Sequence, residues 1–274
     1  MKKFLFILLS VAMIAIISCA KEDEAIITDG DDTTLTTDKD KNDNSGKVNI
    51  TITTGKSNTK TYVEYDSGNN KYIPYWQKGD KLSIFVSDIA EGTQTPLAIL
   101  ENKSASDSLY AKFSGTAIVS AGEQTLFAFY PSRSMMQTFA NKYVGLELPS
   151  LQFPTANNWD PKADLLVTDK YKLNVVEGED ILLEGVMYFN RLVSVLKINL
   201  SGAIDDYTSD KITQFEMKVD GAKLAGTLKY NADAEDVTEN IEIVEGTEKD
   251  FILADFSYEE GGYPALNNFT FYLM

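Results

Sequence analysis

Cys19 is the only cysteine in the 274 residues, and it stands directly behind a long apolar run and a small Ser18. As a thiolate such a residue is a nucleophile that can take up an alkyl or acyl group. Being alone, it cannot close a disulfide within the chain. There is no histidine, which removes the Ser-His-Asp and Cys-His nucleophile pairs and the histidine-ligated metal sites. Catalysis would then have to rest on carboxylates, as in glycoside hydrolysis. With 41 acidic residues, pairs of carboxylates arise by chance and single out none. We therefore expect no catalytic, metal-ligating or cofactor-binding residue, and one modification site, Cys19.

The residues around Cys19 say what that modification is. Met1-Lys2-Lys3 is a basic start, and residues 4–17 are apolar apart from Ser10. That run is shorter than the roughly 20 residues a membrane-spanning helix needs and fits the apolar region of a secretory signal. Ser18-Cys19 resembles a bacterial lipobox, in which the cysteine is diacylated, the signal is cut before it, and the lipid holds the mature protein on a membrane. The alternative is an ordinary signal with an incidental cysteine. The position of the sole cysteine at the end of the apolar run favours lipidation, with residues 1–18 as the signal.

Residues 19–46 are polar, rich in Thr, Asp, Lys and Asn. They cannot bury enough apolar surface to offset their ordering entropy, which predicts a disordered tether. A calcium loop starting at Asp38 fails the EF-hand pattern, since its sixth position is Asp43 rather than Gly and its twelfth is Asn49 rather than Glu. The whole chain carries a net charge of −16, and Lys2 and Lys3 lie in the leader, so the mature chain is more acidic still. Such a surface repels phosphate backbones, which excludes nucleic acid as a partner.

From Val48 the apolar period becomes two. Val48, Ile50 and Ile52 alternate with Asn49, Thr51 and Thr53, predicting a strand buried on one face. Residues 61–65 and 71–76 read as a hairpin turning at Gly68-Asn69-Asn70, and Leu82, Ile84 and Val86 alternate after a Gly79-Asp80 turn. Further strands are predicted at 109–113, 125–130, 143–148, 165–168, 192–200, 214–219, 223–230, 241–244, 251–254 and 269–273. Pro131 ends one of them by removing a ladder donor. No helical period is sustained past the leader, so the fold class is all-β, built as sandwiches.

Residues 146–164 hold three prolines and little periodicity, predicting a long excursion anchored by Phe153 and Trp159. Leu224-Ala225-Gly226 predicts a bulge or a close backbone approach. Trp76, Tyr75 and Phe85 read first as core, with sugar stacking as their functional alternative. We expect an N-terminal sandwich domain at 47–185 and a C-terminal one at 186–274. The closing strand at 269–273 alternates with no polar tail behind it. An apolar edge of that kind is an aggregation hazard, so either a partner captures it or the chain ends early. The second is expected, leaving the C-terminal domain incomplete.

Several segments taken together resemble the fimbrillin-like surface proteins of Bacteroidetes, the subunits of major and minor fimbriae. They are KTYVEYD (60–66), WQKGDKLSIFV (76–86), AKFSGT (111–116), LFAFYPS (126–132), LPSLQFP (148–154), ADLLV (163–167), FNRLVSVLKINL (189–200) and KVDGAKLAGTLKY (218–230). Ala20-Lys-Glu-Asp-Glu24 is similar to the acidic signal that sends lipoproteins of that phylum to the outer face of the outer membrane. The resemblance implies two transthyretin-like β-sandwich domains and a surface-exposed subunit held in the outer membrane by the lipid on Cys19. It also implies partnership with other fimbrial subunits by donor-strand exchange, and adhesion to host or bacterial surface ligands. In that family a protease removes the first strand, here 48–53, and the open groove takes a strand from the next subunit. The 269–273 strand is a poorer candidate for that donor. Cleavage after arginine is excluded near the first strand, because the only arginines are Arg133 and Arg191; Lys56 and Lys60 are available instead. A surface lipoprotein that captures glycans on Trp76, Trp159 or its tyrosines is the alternative function.

Overall fold

The strand Lys47–Thr54 begins the described part of a computed structural model, and its burial alternates along its length as the sequence predicts. The structure describes residues 47–54, 62–66, 68, 71–87, 91–140, 142–201, 211–231, 241–258, 262–264 and 269–274. Among them every regular element is a β-strand. Cys19, the tether, Lys56 and Lys60 lie outside the described residues.

The largest sheet has nine strands. Its path runs from Ile181–Met187 through Lys47–Thr54, Lys112–Ile118, Ala98–Asn102, Lys81–Val86 and Gly122–Tyr130 to Leu166–Thr168 and Phe189–Arg191. Tyr171–Val175 also pairs with Gly122–Tyr130. The expected hairpin forms from Tyr62–Asp66 and Lys71–Tyr75, with Tyr62 opposite Tyr75 and Asp66 opposite Lys71. The Gly79-Asp80 turn also forms: Gly79 has a φ of 84°, and the Gln77 amide donates to Asp80 Oδ2 at 2.7 Å.

The two central strands are buried on both faces. Leu82, Ser83, Ile84 and Phe85 are all buried, as is the run Leu126-Phe-Ala-Phe-Tyr130. Successive side chains of a strand point to opposite faces, so these strands separate two cores. On one face Leu82, Ile84, Leu126, Ala128 and Tyr130 join Val48, Ile50, Ile52 and Trp76. On the other, Phe85, Phe127 and Phe129 join Tyr143, Leu146, Tyr230, Ile252 and Phe271. The single-faced alternation expected at 82–86 is corrected by this second core.

Sheets also run across the boundary expected near residue 186. Lys142–Leu148 pairs with Gly226–Asn231, setting Tyr143 opposite Tyr230, and Leu166–Thr168 pairs with Phe189–Arg191. Leu151–Gln152 also lies beside Phe251–Asp255. Gly226 allows the close approach expected of it, with a φ of 145° and Ile243 Cγ2 and Thr247 O each 3.0 Å from where a Cβ would lie.

Gly115 has a sharper steric role. A Cβ there would sit 2.7 Å from the Ile99 carbonyl oxygen and 2.9 Å from Leu100 Cδ2, where Lys112–Ile118 crosses its neighbour Ala98–Asn102. Gly115→Ala is expected to lower stability by about 1–3 kcal/mol through overpacking, outweighing the roughly 0.4–1 kcal/mol gained from a stiffer unfolded chain. A fall in the urea midpoint at unchanged slope reads it out, and a rise refutes it.

Candidate functional site

Of the residues that the sequence singles out for a role, Val48, Ile50, Ile52 and Trp76 meet at the slot occupied by Lys47–Thr54, whereas Trp159 belongs to the other core. This strand has a neighbour on each side. It runs antiparallel to Lys112–Ile118, with Ile50 opposite Gly115 and Ile52 opposite Phe113. It runs parallel to Ile181–Met187, with Ile50 opposite Ile181 and Ile52 opposite Leu183, and the register shifts between Thr53 and Thr54. Both ladders satisfy its main-chain groups, which a buried backbone requires.

Its inward side chains are fully enclosed: Ile50 and Ile52 are 0% exposed, and Val48 and Thr54 nearly so. The floor beneath them is Trp76, which meets Phe113, Tyr130 and Phe189 edge-on at 5.1, 5.8 and 5.2 Å. Each end of the strand is pinned. Asn49 donates from its backbone N and its Nδ2 to Asp180 Oδ1, at 2.9 and 3.1 Å. At the other end the Thr54 amide donates to the Ala111 carbonyl at 3.0 Å, and the Ala111 amide donates to Thr54 Oγ1 at 3.1 Å. A shallow depression of about 480 Å³ opens beside Lys47, between Leu97 and Ile118.

The chemistry of this arrangement is that of a strand held by two ladders and a row of apolar pockets. Removing it would leave two unpaired edges facing each other across pockets shaped for β-branched side chains.

The closing strand behaves otherwise. Phe269–Leu273 pairs antiparallel with Leu196–Leu200. Its second edge is covered by the 152–158 segment: the Asn157 amide donates to the Thr270 carbonyl at 2.7 Å, and the Tyr272 amide to the Asn158 carbonyl at 3.3 Å. Gln152 finishes the edge, accepting from the Met274 amide at 3.1 Å and donating to its carbonyl at 3.0 Å. Phe271 and Leu273 are buried, and Phe271 packs edge-on against Phe215 and Phe256. The open edge expected here is therefore filled by the chain itself, because the 146–164 excursion turns back over it.

Trp159 anchors that excursion, as expected, and is buried. Phe153 does not: it is 41% exposed and meets only the rim, where Tyr258 lies edge-on at 6.0 Å and donates its hydroxyl to the Pro154 carbonyl at 2.6 Å. The anchor is completed by Arg191, whose guanidinium lies 4.9 Å from the Trp159 ring centre. Arg191 Nε and Nη2 donate to Asp164 Oδ1 and Oδ2 at 2.7 and 3.0 Å. Neither tryptophan can act as a sugar platform, since Trp76 is 0% and Trp159 4% exposed; both are spent on cores. Among the described residues, no group of three or more Cys, Asp or Glu is placed to hold a metal ion.

Comparison with protein-family models finds no match, and comparison with curated proteins finds none either. Among solved structures, the chain is similar to a fimbrial assembly protein from Parabacteroides distasonis. The identity is 6%, the match covers 76% of each chain, and the TM-score is 0.26. A likeness that loose carries no weight for fold or function.

Proposed function

We propose that this chain is a lipid-anchored structural subunit of fimbriae on the outer membrane surface, joined to its neighbours by β-strand addition. Its role is to build and to adhere rather than to catalyse. The observation that carries the reading is the place of Lys47–Thr54: it follows the tether directly and lies between two strands over a row of apolar pockets. Strand addition needs only main-chain pairing and alternate side chains that fill pockets. A donor would run antiparallel to 112–118 and parallel to 181–187, with β-branched residues at the positions of Val48, Ile50 and Ile52. Each donor filling the next subunit's groove makes a head-to-tail contact, which grows a filament. The resemblance of the sequence segments to fimbrillin-like proteins agrees with this.

Processing would differ from the arginine-directed cut of that family, since no arginine lies near the strand; Lys56 and Lys60 are the available basic residues. The test is N-terminal sequencing and intact mass of the protein taken from cells, with radiolabelled palmitate. The expected result is incorporated label on the unprocessed form and a surface form beginning after residue 54, in high-mass assemblies. An unlabelled protein overturns the anchor. Labelled, intact monomer alone overturns polymerisation and leaves a membrane-held accessory.

A further inference from the structure

The two pins of the first strand differ in kind. The contacts of Asn49 with Asp180 are exposed, so water can take their place. At the other end Thr54 is 1% and Ala111 0% exposed. The Thr54 amide donates to the Ala111 carbonyl at 3.0 Å. A continuing antiparallel ladder would return that bond from the Ala111 amide to the Thr54 carbonyl. Here the Ala111 amide donates to Thr54 Oγ1 instead, at 3.1 Å. The ladder to Lys112–Ile118 ends one residue earlier, at Thr53 opposite Lys112, and on the other side the register shifts between Thr53 and Thr54. A side-chain hydroxyl therefore completes the last rung. The hydroxyl belongs to the strand, and the buried amide belongs to the slot.

Val48, Ile50, Ile52 and Thr54 are the inward positions of the strand. The first three ask the same of any occupant, a β-branched apolar side chain. Sliding a strand by two residues keeps its alternation and still fills two of those three pockets. The fourth position separates the registers. Slid one way, Ile52 arrives at the place of Thr54, and the enclosed Ala111 amide has no acceptor. Slid the other way, Thr54 enters the pocket of Ile52 beside Phe113, away from the amide its hydroxyl serves. Either slip encloses a polar group unpaired, which is costly.

We infer that the slot recognises its donor by a hydroxyl: the incoming strand carries Ser or Thr two residues beyond the last of three alternate β-branched residues, and the Ala111 amide reads it. This rests on the strand-addition reading and names the chemistry of the donor. Serine and threonine both offer an acceptor oxygen at Oγ, whereas valine has the shape of threonine without the oxygen. Three alternate Val or Ile residues occur once in the 274 residues, at 48–52, so no other strand of this chain competes for the slot on equal terms.

The test gives the full chain a protease site between Thr54 and Tyr62, cuts it, unfolds it and refolds it with an equimolar excess of three peptides. One is KVNITITTGKS, which continues past Thr54 so that no terminal carboxylate lies near Ala111; the others are its Thr54→Ser and Thr54→Val forms. Mass spectrometry of the isolated complex counts each peptide bound. The serine form is expected within about threefold of the parent and the valine form about 5- to 100-fold below it, the range for a buried donor left unpaired. Valine taken up as well as threonine, or serine refused as strongly as valine, overturns recognition by the hydroxyl and leaves strand addition standing. Refusal of all three peptides overturns strand addition, and this inference with it. In the uncut chain, Thr54→Val is expected to speed hydrogen exchange of the Ala111 amide about tenfold or more relative to that of Phe113, with Thr54→Ser unchanged. An Ala111 amide that Thr54→Val leaves unmoved overturns the inference independently of any peptide.

Discussion

Arg191→Met is expected to cost the fold about 3–5 kcal/mol, the range for breaking a buried ion pair from one side. The Asp164 side chain is 0% exposed and Arg191 is its only cationic partner in the described structure. Two opposing effects act on that carboxyl: burial pushes its pKa up, and the charge and hydrogen bonds of Arg191 pull it down. Methionine keeps much of the arginine stem against Trp159 but removes the charge, so the upward push of burial dominates. The Asp164 of the variant then prefers to be protonated in the native state, while the unfolded chain titrates near its ordinary value of about 3.9. A native pKa above the unfolded one means that stability is fully present below the unfolded value and is lost as pH rises through the window up to the native value. Urea unfolding should therefore show a larger deficit near neutral pH than at about pH 4, where uptake of the proton removes the stranded charge. Asp164→Leu combined with Arg191→Met should recover most of the loss, since an apolar replacement of a whole buried pair is often neutral. A single variant within about 1 kcal/mol of the parent at neutral pH, or a deficit independent of pH, refutes the argument.

What could be read from the residues, and what could not, depends on how local each signal is. The strand at 47–54 has one buried face, and a period of two reports that directly. The closing strand is visible to the residue at 269–273, and the hairpin at 62–66 and 71–75 carries its own turn at Gly68. Strands such as Gly92–Gln94 and Met136–Phe139 escape a reading of the sequence because they are short and partly polar, and long-range register rather than local pattern holds them. The second core is hidden at 82–86, where Ser83 interrupts the apolar residues, although the unbroken run Leu126-Phe-Ala-Phe-Tyr130 carries the signal that a strand is covered on both faces.

The same reasoning divides the candidate sites. Trp76 and Trp159 look alike in sequence to an aromatic platform and to a core residue, and only packing separates the two. Asp164 and Arg191 stand 27 positions apart, a spacing with no local meaning, so their pairing has no sequence signature. The filled edge at 269–273 is also invisible in the sequence, because the 152–158 segment supplies irregular backbone rather than a strand with a period.

Ile52→Asp is expected to abolish the fold rather than weaken it. The side chain is 0% exposed and lies opposite Phe113 on one neighbour and Leu183 on the other. Losing the isoleucine costs about 2–5 kcal/mol, and an unpaired carboxylate in that pocket adds several more. The sum reaches the roughly 5–15 kcal/mol that holds a typical domain together. Thr51→Lys in the same strand turns to the opposite face, beside Ser114 and the exposed Leu182, and should cost about 1 kcal/mol or less. Circular dichroism and urea unfolding of the two variants separate them, and a cooperative Ile52→Asp transition near the parental midpoint would falsify the claim that the slot is held by its pockets. The same contrast tests the slot as an acceptor. With a protease site placed between Thr54 and Tyr62, the cut chain should keep its first strand until denatured. On refolding with excess labelled peptide of sequence KVNITITT it should take up the peptide in its place. A peptide carrying the Ile52→Asp change should be refused, because main-chain pairing alone cannot offset a carboxylate enclosed against Trp76 and Phe113. Equal uptake of both peptides would mean that edge pairing without the pockets suffices, and strand addition here would then lack the selectivity a filament of like subunits needs.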